Sequence, residues 1–493
     1  MERGAGILLA VTSLPSSYGI GTLGEAAFRF VDVLVDLKQR YWQVLPIGPT
    51  SFGDSPYQSY SAFAGNPYLI DLDDLVKEGL LLPEEIRSFH WGNDEADIDY
   101  GMIYENRFEV LKMAFERFDT GQEAFRRFCG EAAEWLDDYA LYTALKGYFG
   151  DREWQSWEPA LRDREESALC EYREKLHTDM MFCKFCQYEF FRQWRALKRY
   201  ANSRGVSIIG DLPFYVAADS ADAWAHRELF LLGEDGTPEV VAGAPPDAYS
   251  ADGQKWGSPV YDWSLMEENG FAWWQARILE NAELFDVIRL DHFTGIVKYY
   301  TVPGGAENGK NGKWRRGPGK KLTDAIEQAA GDIPVIVENV GAKNPMPGVK
   351  KLMVKTGWTG IKILMSAFDG DTANDNLPHN YTDGNLVVYA GTHDNETIVG
   401  YFRDKTDYEL AYLYEYLNIK YKEEIPDALI RAAYASVADV AMIQMQDIMK
   451  LGNEARMNVP STVGSNWRWR IGTDGLSEER RAWIRTLASV YRR

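Results

Sequence analysis

The segment Val287-Ile288-Arg289-Leu290-Asp291 decides the predicted fold, because it is a short, mostly apolar run that ends in an acid. Seven other short apolar runs occur along the chain, and amphipathic helical stretches alternate with them. This alternation indicates a mainly parallel α/β architecture whose strands are covered on both faces. The eight predicted strands are Gly6–Val11, Tyr41–Pro46, Ser207–Asp211, Asp286–Asp291, Ile333–Glu338, Thr359–Met365, Leu386–Ala390 and Val440–Gln446.

Eight strands fit a (β/α)8 TIM barrel, and we expect residues 1–493 to form one catalytic unit of this kind with two insertions. Residues 47–206 are too many for an ordinary crossover and predict a largely helical subdomain. Residues 214–285 are rich in Gly, Pro, Asp and aromatics, and they predict a substrate-loop region. The strong helical patterns of the first insertion are Met102–Phe118, Ala132–Phe149 and Cys183–Ser203.

The composition is that of an ordinary globular chain, with 45% hydrophobic and 26% charged residues among 493. The formal net charge is −21, and so acidic a surface repels phosphate backbones and anionic lipid. We therefore expect neither nucleic acid nor a membrane as a partner. The 16 Trp, 28 Tyr and 22 Phe would suit a neutral, ring-shaped ligand where they are exposed.

The chain contains no stretch of 18 apolar residues, so no membrane-spanning helix is predicted. We interpret the N-terminal run GILLAV as a buried strand rather than a secretory signal, because no convincing cleavage motif follows it. Four cysteines do not make a disulfide framework, and only Cys183 and Cys186 have a spacing that could suggest zinc. We expect these two to share a helix without a metal, and we expect a cytoplasmic location.

Acids follow the apolar runs at three places, as Asp291, Glu338 and Asp394, and Asp211 is a fourth candidate. In a parallel barrel the C-terminal strand ends meet at one face, where barrel enzymes build their sites. Each acid alone could instead cap the following helix, but four in equivalent positions make that alternative weak. Arg289 lies two residues before Asp291 on the same strand face, and we expect its charge to keep that carboxylate ionised.

One ionised carboxylate and one protonated carboxylic acid are the groups that glycoside cleavage requires. The ionised group attacks the anomeric carbon, and the protonated group donates to the leaving oxygen. A third acid can bind ring hydroxyls and favour the distorted, oxocarbenium-like sugar. This chemistry requires no metal.

Nearly the whole chain, from near Gly6 to about Arg470, resembles the 4-α-glucanotransferase family, also called amylomaltase or disproportionating enzyme. The resemblance is carried by Gly53–Leu72 (GDSPYQSYSAFAGNPYLIDL), Gly210–Trp224 (GDLPFYVAADSADAW), Gly243–Trp263 (GAPPDAYSADGQKWGSPVYDW) and the motifs VIRLDHF, GTHDN and ARMNVP.

The resemblance implies a role for each acid: Asp291 as the nucleophile, Glu338 as the general acid/base and Asp394 as the transition-state stabiliser. It also implies that a larger set of side chains binds the glucan. These are Arg289, Asp211 and His393 around the transferred sugar, Ser55, Tyr57, Asp247, Tyr249, Gln254 and Trp256 in loops of the acceptor subsites, and Asn458.

The implied reaction is a retaining transfer of an α-1,4-glucan segment to the 4-hydroxyl of another glucan, a maltooligosaccharide or glucose. It runs through a covalent glucosyl-enzyme, needs no cofactor, and places the two carboxyl groups about 5–5.5 Å apart. Two alternatives are a retaining α-glucan hydrolase, whose main acceptor is water, and a non-catalytic glucan-binding protein, which would be expected to lack one of the acids. The sequence makes no prediction of oligomeric state.

Three short segments require separate interpretation. The run 338–341, Glu-Asn-Val-Gly, lacks the acid that the family has beside its acid/base, and Ser461 replaces a family glycine, which is expected to stiffen that loop. Residues 304–311 match a phosphate-loop pattern, but Asn311 stands where Ser or Thr would bind Mg²⁺, so we interpret them as a mobile loop. Strand alternation is expected to turn His292 away from the site.

Overall fold

The computed structural model describes residues 1–51, 53–246, 250–339 and 347–493. Its strands are β1 Gly4–Leu8, β2 Tyr41–Gln43, β3 Ser207–Leu212, β4 Val240–Ala244, β5 Gln254–Pro259, β6 Val287–Leu290, β7 Lys298–Pro303, β8 Lys313–Arg316, β9 Val335–Val337, β10 Thr359–Ile363, β11 Leu386–Tyr389 and β12 Val440–Gln444. Its α-helices are α1 Glu25–Asp36, α2 Leu72–Lys77, α3 Pro83–Arg87, α4 Tyr100–Arg117, α5 Glu123–Glu131, α6 Ala133–Tyr148, α7 Pro159–Arg162, α8 Glu166–Lys175, α9 His177–Ser203, α10 Ala221–Ala225, α11 Trp263–Glu268, α12 Ala272–Leu284, α13 Thr294–Val297, α14 Lys320–Ala330, α15 Pro347–Thr356, α16 Ile398–Arg403, α17 Asp407–Leu417, α18 Ile425–Ala435, α19 Met445–Ile448 and α20 Glu478–Val490.

Eight parallel strands close into a barrel in the order β1-β12-β11-β10-β9-β6-β3-β2. These are the eight predicted strands, so the predicted TIM barrel is confirmed. Strand β1 pairs with both β2 and β12, which places residues 4–8 beside residues 440–444 and completes the closure. Strands β6 and β9 each end one residue before an acid, so Asp291 and Glu338 project from the C-terminal rim.

A second sheet has four antiparallel strands in the order β5-β4-β7-β8 and was not predicted from the sequence. Strands β4 and β5 belong to the region predicted as substrate loops. Strands β7 and β8 flank residues 304–311, so that segment connects two antiparallel strands. A nucleotide phosphate loop connects a strand to a helix, and the topology therefore agrees with rejecting that interpretation.

Helices α2–α9 lie between β2 and β3, and the three strong helical patterns correspond to α4, α6 and α9. Helix α9 is longer than predicted and begins at His177. From this helix, the buried Gln187 side chain accepts a hydrogen bond from the Gly65 amide at 2.8 Å and donates to the Gly65 carbonyl at 2.9 Å. These bonds anchor the segment that follows Tyr57. The division of the chain into a barrel unit and subdomains stays a prediction.

The aromatic side chains mainly fill the core. Five tryptophans rank among the largest fully buried side chains, namely Trp42, Trp154, Trp194, Trp224 and Trp274. The high aromatic content therefore reflects packing of the core more than a ligand-binding surface. Within the described ranges, no helix combines the length and apolar character needed to cross a membrane.

We predict that Gly210→Ala lowers both stability and activity. A Cβ at residue 210 would lie 2.1 Å from the ring of Phe285, which is 2% exposed and cannot move aside freely. Overpacking of this kind costs about 1–3 kcal/mol and would displace Asp211, the next residue of β3. Chemical denaturation and initial rates measure both effects. In the control Gly130→Ala, the new Cβ meets nothing within 4 Å on helix α5, so equal losses in both variants would contradict the prediction.

Candidate active site

Four acids gather at the C-terminal rim of the barrel. Asp211, Asp291 and Glu338 come from β3, β6 and β9, which are consecutive strands of the barrel. Asp394 follows β11, on the far side of β10 from Glu338. The strand ladder continues into the site, because the Asp291 amide donates to the Leu212 carbonyl at 3.0 Å and holds that acid against β3.

Arg289 supplies the positive charge of this cluster, and its side chain is 1% exposed. Its Nη1 lies 2.5 Å from both carboxylate oxygens of Asp211 and 3.5 Å from Oδ1 of Asp291. Its Nη2 lies 3.3 Å from Oε1 of Glu338. One guanidinium therefore touches three carboxyl groups, and the shortest contacts are with Asp211.

Asp291 and Glu338 follow the adjacent strands β6 and β9, and both carboxyl groups contact the Arg289 guanidinium. Burial, together with the negative charge of Glu338, raises the pKa of Asp291 well above its ordinary value, against the opposing charge of Arg289. Burial also disfavours the Glu338 anion, but Arg289 and hydrogen bonds from Asp291 and the His292 amide lower the pKa of Glu338. The two carboxyl groups therefore titrate as a coupled pair.

The expectation that Arg289 keeps Asp291 ionised stays a prediction. Arg289 contacts Asp291 at 3.5 Å, but it makes its shortest ion pair, at 2.5 Å, with Asp211.

Asp394 is held from two sides. Asn458 Nδ2 donates to its Oδ1 at 2.6 Å, and His393 Nε2 lies 3.4 Å from its Oδ2. Arg456 Nη2 donates to the Asp394 main-chain carbonyl at 3.0 Å. Asn458, predicted to bind substrate, thus touches an acid directly, whereas Arg456 was missed by the sequence analysis because it acts on the backbone.

Tyr57 connects its loop to the barrel rim. Its hydroxyl lies 2.9 Å from Oδ2 of Asp211 and 2.7 Å from Nε2 of His393. The Tyr57 and His393 rings stack with centroids 5.4 Å apart, and Trp467 packs against both. Ser55 accepts a hydrogen bond from the Tyr57 amide at 3.3 Å, so its observed contact shapes the loop.

Trp256 forms a wall beside His292, the residue that follows Asp291. Its ring meets the ring of His292 edge-on at 4.9 Å, and its Nε1 donates to Oε1 of Gln254 at 2.9 Å. Gln58 ties this wall to the loop of Tyr57 by donating to the Trp256 carbonyl at 3.2 Å. Asp247 and Tyr249, the other predicted residues of this loop, lie outside the described residues.

His292 takes part in the site through its backbone, which the sequence analysis missed. It adopts a left-handed conformation with φ 44°, and its amide donates to Oε2 of Glu338 at 2.9 Å. Its side chain packs against Phe214, Tyr215 and Trp256. Strand alternation describes only the side chain, so it gave no signal for the amide contact.

The two departures from the family pattern have distinct structural consequences. The Asn339 side chain accepts a hydrogen bond from the Ile361 amide at 2.9 Å and so joins β9 to β10 without adding a charge beside Glu338. Val340 and Gly341 lie outside the described residues. Ser461 has φ 69°, a left-handed conformation that favours glycine and strains a serine.

Among the described residues, no group of three or more His, Cys, Asp or Glu side chains is arranged to hold a metal ion. Cys183 and Cys186 are both buried in α9, and all four cysteines of the chain are free.

Comparison with known proteins identifies the family of the chain. The sequence profile of a family described as 4-alpha-glucanotransferase matches residues 9–474. The chain belongs to the 4-alpha-glucanotransferase family. The 4-alpha-glucanotransferase of Thermus thermophilus is 44% identical over 504 residues, covering 100% of this chain and 99% of that protein. That of Streptococcus pneumoniae is 42% identical over 496 residues, covering 100% of this chain and 98% of that protein.

Solved structures extend the similarity to three dimensions. The amylomaltase from Streptococcus agalactiae in complex with acarbose has a TM-score of 0.96 and 40% identity, covering 100% of both chains. The amylomaltase from Corynebacterium glutamicum has a TM-score of 0.80 at 19% identity, covering 99% of this chain and 75% of that one, and shares the fold. The similarity to these proteins therefore extends over the whole barrel.

We predict that Asp447→Asn removes a pH dependence of stability. Asp447 follows β12, is 1% exposed and accepts a hydrogen bond from the Ile398 amide at 2.7 Å, behind the segment that carries Asp394. Burial raises the pKa of Asp447 to about 7, whereas an unfolded chain titrates aspartate near about 4. Between these values the folded protein binds the extra proton, so the free energy of unfolding falls as pH rises, by about 1.4 kcal/mol per pH unit at most.

Asparagine keeps the acceptor for Ile398 and carries no charge, so the variant should be more stable than the parent protein above pH 7. Urea unfolding at pH 5 and pH 8 measures the difference. The control Asp404→Asn changes a side chain that is 83% exposed and should leave the pH dependence as it is. An unchanged pH dependence in Asp447→Asn would show that the carboxyl is ionised throughout this range.

Proposed function

We propose that the protein is a retaining 4-α-glucanotransferase that moves an α-1,4-glucan segment onto the 4-hydroxyl of another glucan, a maltooligosaccharide or glucose. One observation carries the proposal: Asp291 and Glu338 contact the same Arg289 guanidinium, at 3.5 Å and 3.3 Å, at the rim of a barrel of this family. Two carboxyl groups brought together in this way are the pair that retaining glycosyl transfer requires.

In the first step, the Asp291 carboxylate attacks the anomeric carbon while Glu338 gives its proton to the glycosidic oxygen. The bond between that carbon and oxygen breaks, a glucan with a new 4-hydroxyl leaves, and an ester joins the remaining glucan to Asp291. At this moment Glu338 must carry the proton and Asp291 must be ionised.

In the second step, the acceptor's 4-hydroxyl gives its proton to Glu338, and its oxygen attacks the anomeric carbon. The ester bond to Asp291 breaks, and the two inversions together retain the α configuration. Asp394, oriented by His393 and Asn458, is placed to bind ring hydroxyls of the distorted sugar. The buried pair of Arg289 and Asp211, with Tyr57, would also hold the transferred sugar.

Trp256 supports transfer over hydrolysis. Its ring lies against His292, whose amide holds Glu338, so an acceptor sugar stacked on this wall would reach the acid/base. Such an acceptor competes with water by binding and orientation.

We place the protein in the cytoplasm. This location is supported by the four free cysteines, because disulfides are rare in a reducing compartment. The net charge of −21 is compatible with a neutral substrate such as a maltooligosaccharide.

We predict that the purified protein converts maltotriose into glucose together with maltotetraose and longer chains. Separation of the products over time measures this disproportionation, and Asp291→Asn should abolish it because amide nitrogen and oxygen cannot form the ester intermediate. Glucose and maltose without longer chains would identify the hydrolase instead. Binding of maltotriose without any product would identify a glucan-binding protein.

We predict that Trp256→Ala shifts the reaction toward hydrolysis. Loss of one stacking surface should lower the ratio of transfer to hydrolysis about two- to tenfold, because it weakens binding of the acceptor sugar and leaves the attack by water unchanged. The increase in total reducing ends measures hydrolysis, and the formation of longer chains measures transfer. The two assays in one sample give the ratio. Trp314→Ala, which removes a 48% exposed ring on β8, serves as the control. An unchanged ratio in Trp256→Ala would remove Trp256 from the acceptor site.

A further inference from the structure

Helix α17 carries a row of tyrosines on its outer surface. Tyr408, Tyr412 and Tyr416 are spaced four residues apart, so they lie on one helix face, whereas Leu410 and Leu413 face the core with 1% exposure each. Tyr408 is 92% exposed, the highest value among the large apolar and aromatic side chains of the described residues. A Thr406–Glu409 capping box and a left-handed Asn418 fix the two ends of the helix, so the row is held on a regular scaffold.

The row continues toward the barrel rim. The rings of Tyr412 and Tyr416 are 6.0 Å apart, and Phe368 lies 6.4 Å from the first and 5.4 Å from the second. His379 packs on Tyr416 and lies 3.0 Å from its hydroxyl. We call Phe368, His379, Tyr408, Tyr412 and Tyr416 the aromatic row.

Phe368 connects this row to the catalytic face. It lies five residues beyond the end of β10, the strand between those that lead to Glu338 and Asp394. The aromatic row therefore starts at the same rim as the carboxyl groups and extends away from it. Two steps of four residues along a helix cover about 12 Å, which is longer than one sugar ring.

The chemistry of the row favours a neutral sugar polymer. The exposed Tyr408 ring and the uncovered parts of the half-buried Tyr412 and Tyr416 rings offer apolar faces for the C–H surfaces of glucose. The Tyr408 hydroxyl can exchange hydrogen bonds with sugar hydroxyls. The flanking exposed charges are mainly acidic, including Asp369, Asp371, Glu409 and Glu415, in a chain of net charge −21. Such surroundings repel anionic partners and disfavour a second copy of this acidic surface.

We propose that the aromatic row is a secondary binding surface for long α-1,4-glucans. It holds a distant part of a chain whose other part occupies the carboxyl site, so it raises affinity for long glucans and does not affect short ones. This inference rests on the proposed function for the identity of the polymer, but it concerns a surface separate from the reacting groups.

The test compares maltotriose with soluble amylose as donor in Tyr408→Ser and Tyr412→Ser. We expect unchanged kcat and KM for maltotriose, and a KM for amylose raised about three- to tenfold with kcat unchanged. Native gels containing amylopectin should retard the parent protein more than the variants. Tyr421→Ser, which changes a 66% exposed tyrosine outside the row, should behave as the parent protein does.

Two outcomes would overturn the inference. The first is equal amylose KM and equal gel retardation in all variants, with maltotriose disproportionation intact, which leaves the proposed function standing. The second is a change of sedimentation from dimer to monomer in Tyr408→Ser, which would identify the row as a contact between copies.

Tyr412 packs on Phe368, so thermal unfolding must show that the Tyr412→Ser variant is folded. Tyr408 is 92% exposed, so the Tyr408→Ser variant gives an answer independent of folding. Absence of maltotriose turnover in the parent protein would count against the proposed function, and gel retardation would still test the row.

Discussion

The buried guanidinium of Arg289 is the constraint on which the site depends. It is the positive charge in contact with Asp211, Asp291 and Glu338, and it is 1% exposed. A single cation cannot fully offset three carboxylates, of which Asp211 is completely buried and Asp291 and Glu338 are 23% and 18% exposed. The shortest ion pair goes to Asp211, while Asp291 and Glu338 both contact the same guanidinium at longer distances. Burial and the charge of Glu338 raise the pKa of Asp291, whereas Arg289 lowers that of Glu338 against the effect of burial.

The barrel and its acids could be predicted because both leave local signals. Short apolar runs followed by acids are visible without knowledge of the partners, and strand closure then brings the acids together. The pairing of Arg289 was misjudged because its nearest acid in sequence is two residues away, whereas its nearest acid in space is Asp211, 78 residues away. The sequence alone shows the proximity of Asp291 to Arg289 but not that of Asp211.

Other features left no signal that the sequence could provide. Strand β8, Lys313–Arg316, is exposed at every residue and charged at three of four, so it has none of the apolar alternation that marks a strand. The contact between the His292 amide and Glu338 depends on a backbone angle rather than on a side chain. The aromatic residues could be counted from the sequence. Which of them pack in the core and which lie on the surface of α17 depends on the three-dimensional fold.

The pairing of β1 with β12 has a consequence for synthesis on the ribosome. Every acid of the site precedes residue 440, yet the ladder that closes the barrel joins residues 4–8 to residues 440–444. The nascent chain therefore carries all four acids of the candidate site before it can complete the barrel that aligns them. Until β12 emerges, the edges of β1 and β11 remain open to other strands, and this is the interval in which the protein most needs protection from aggregation.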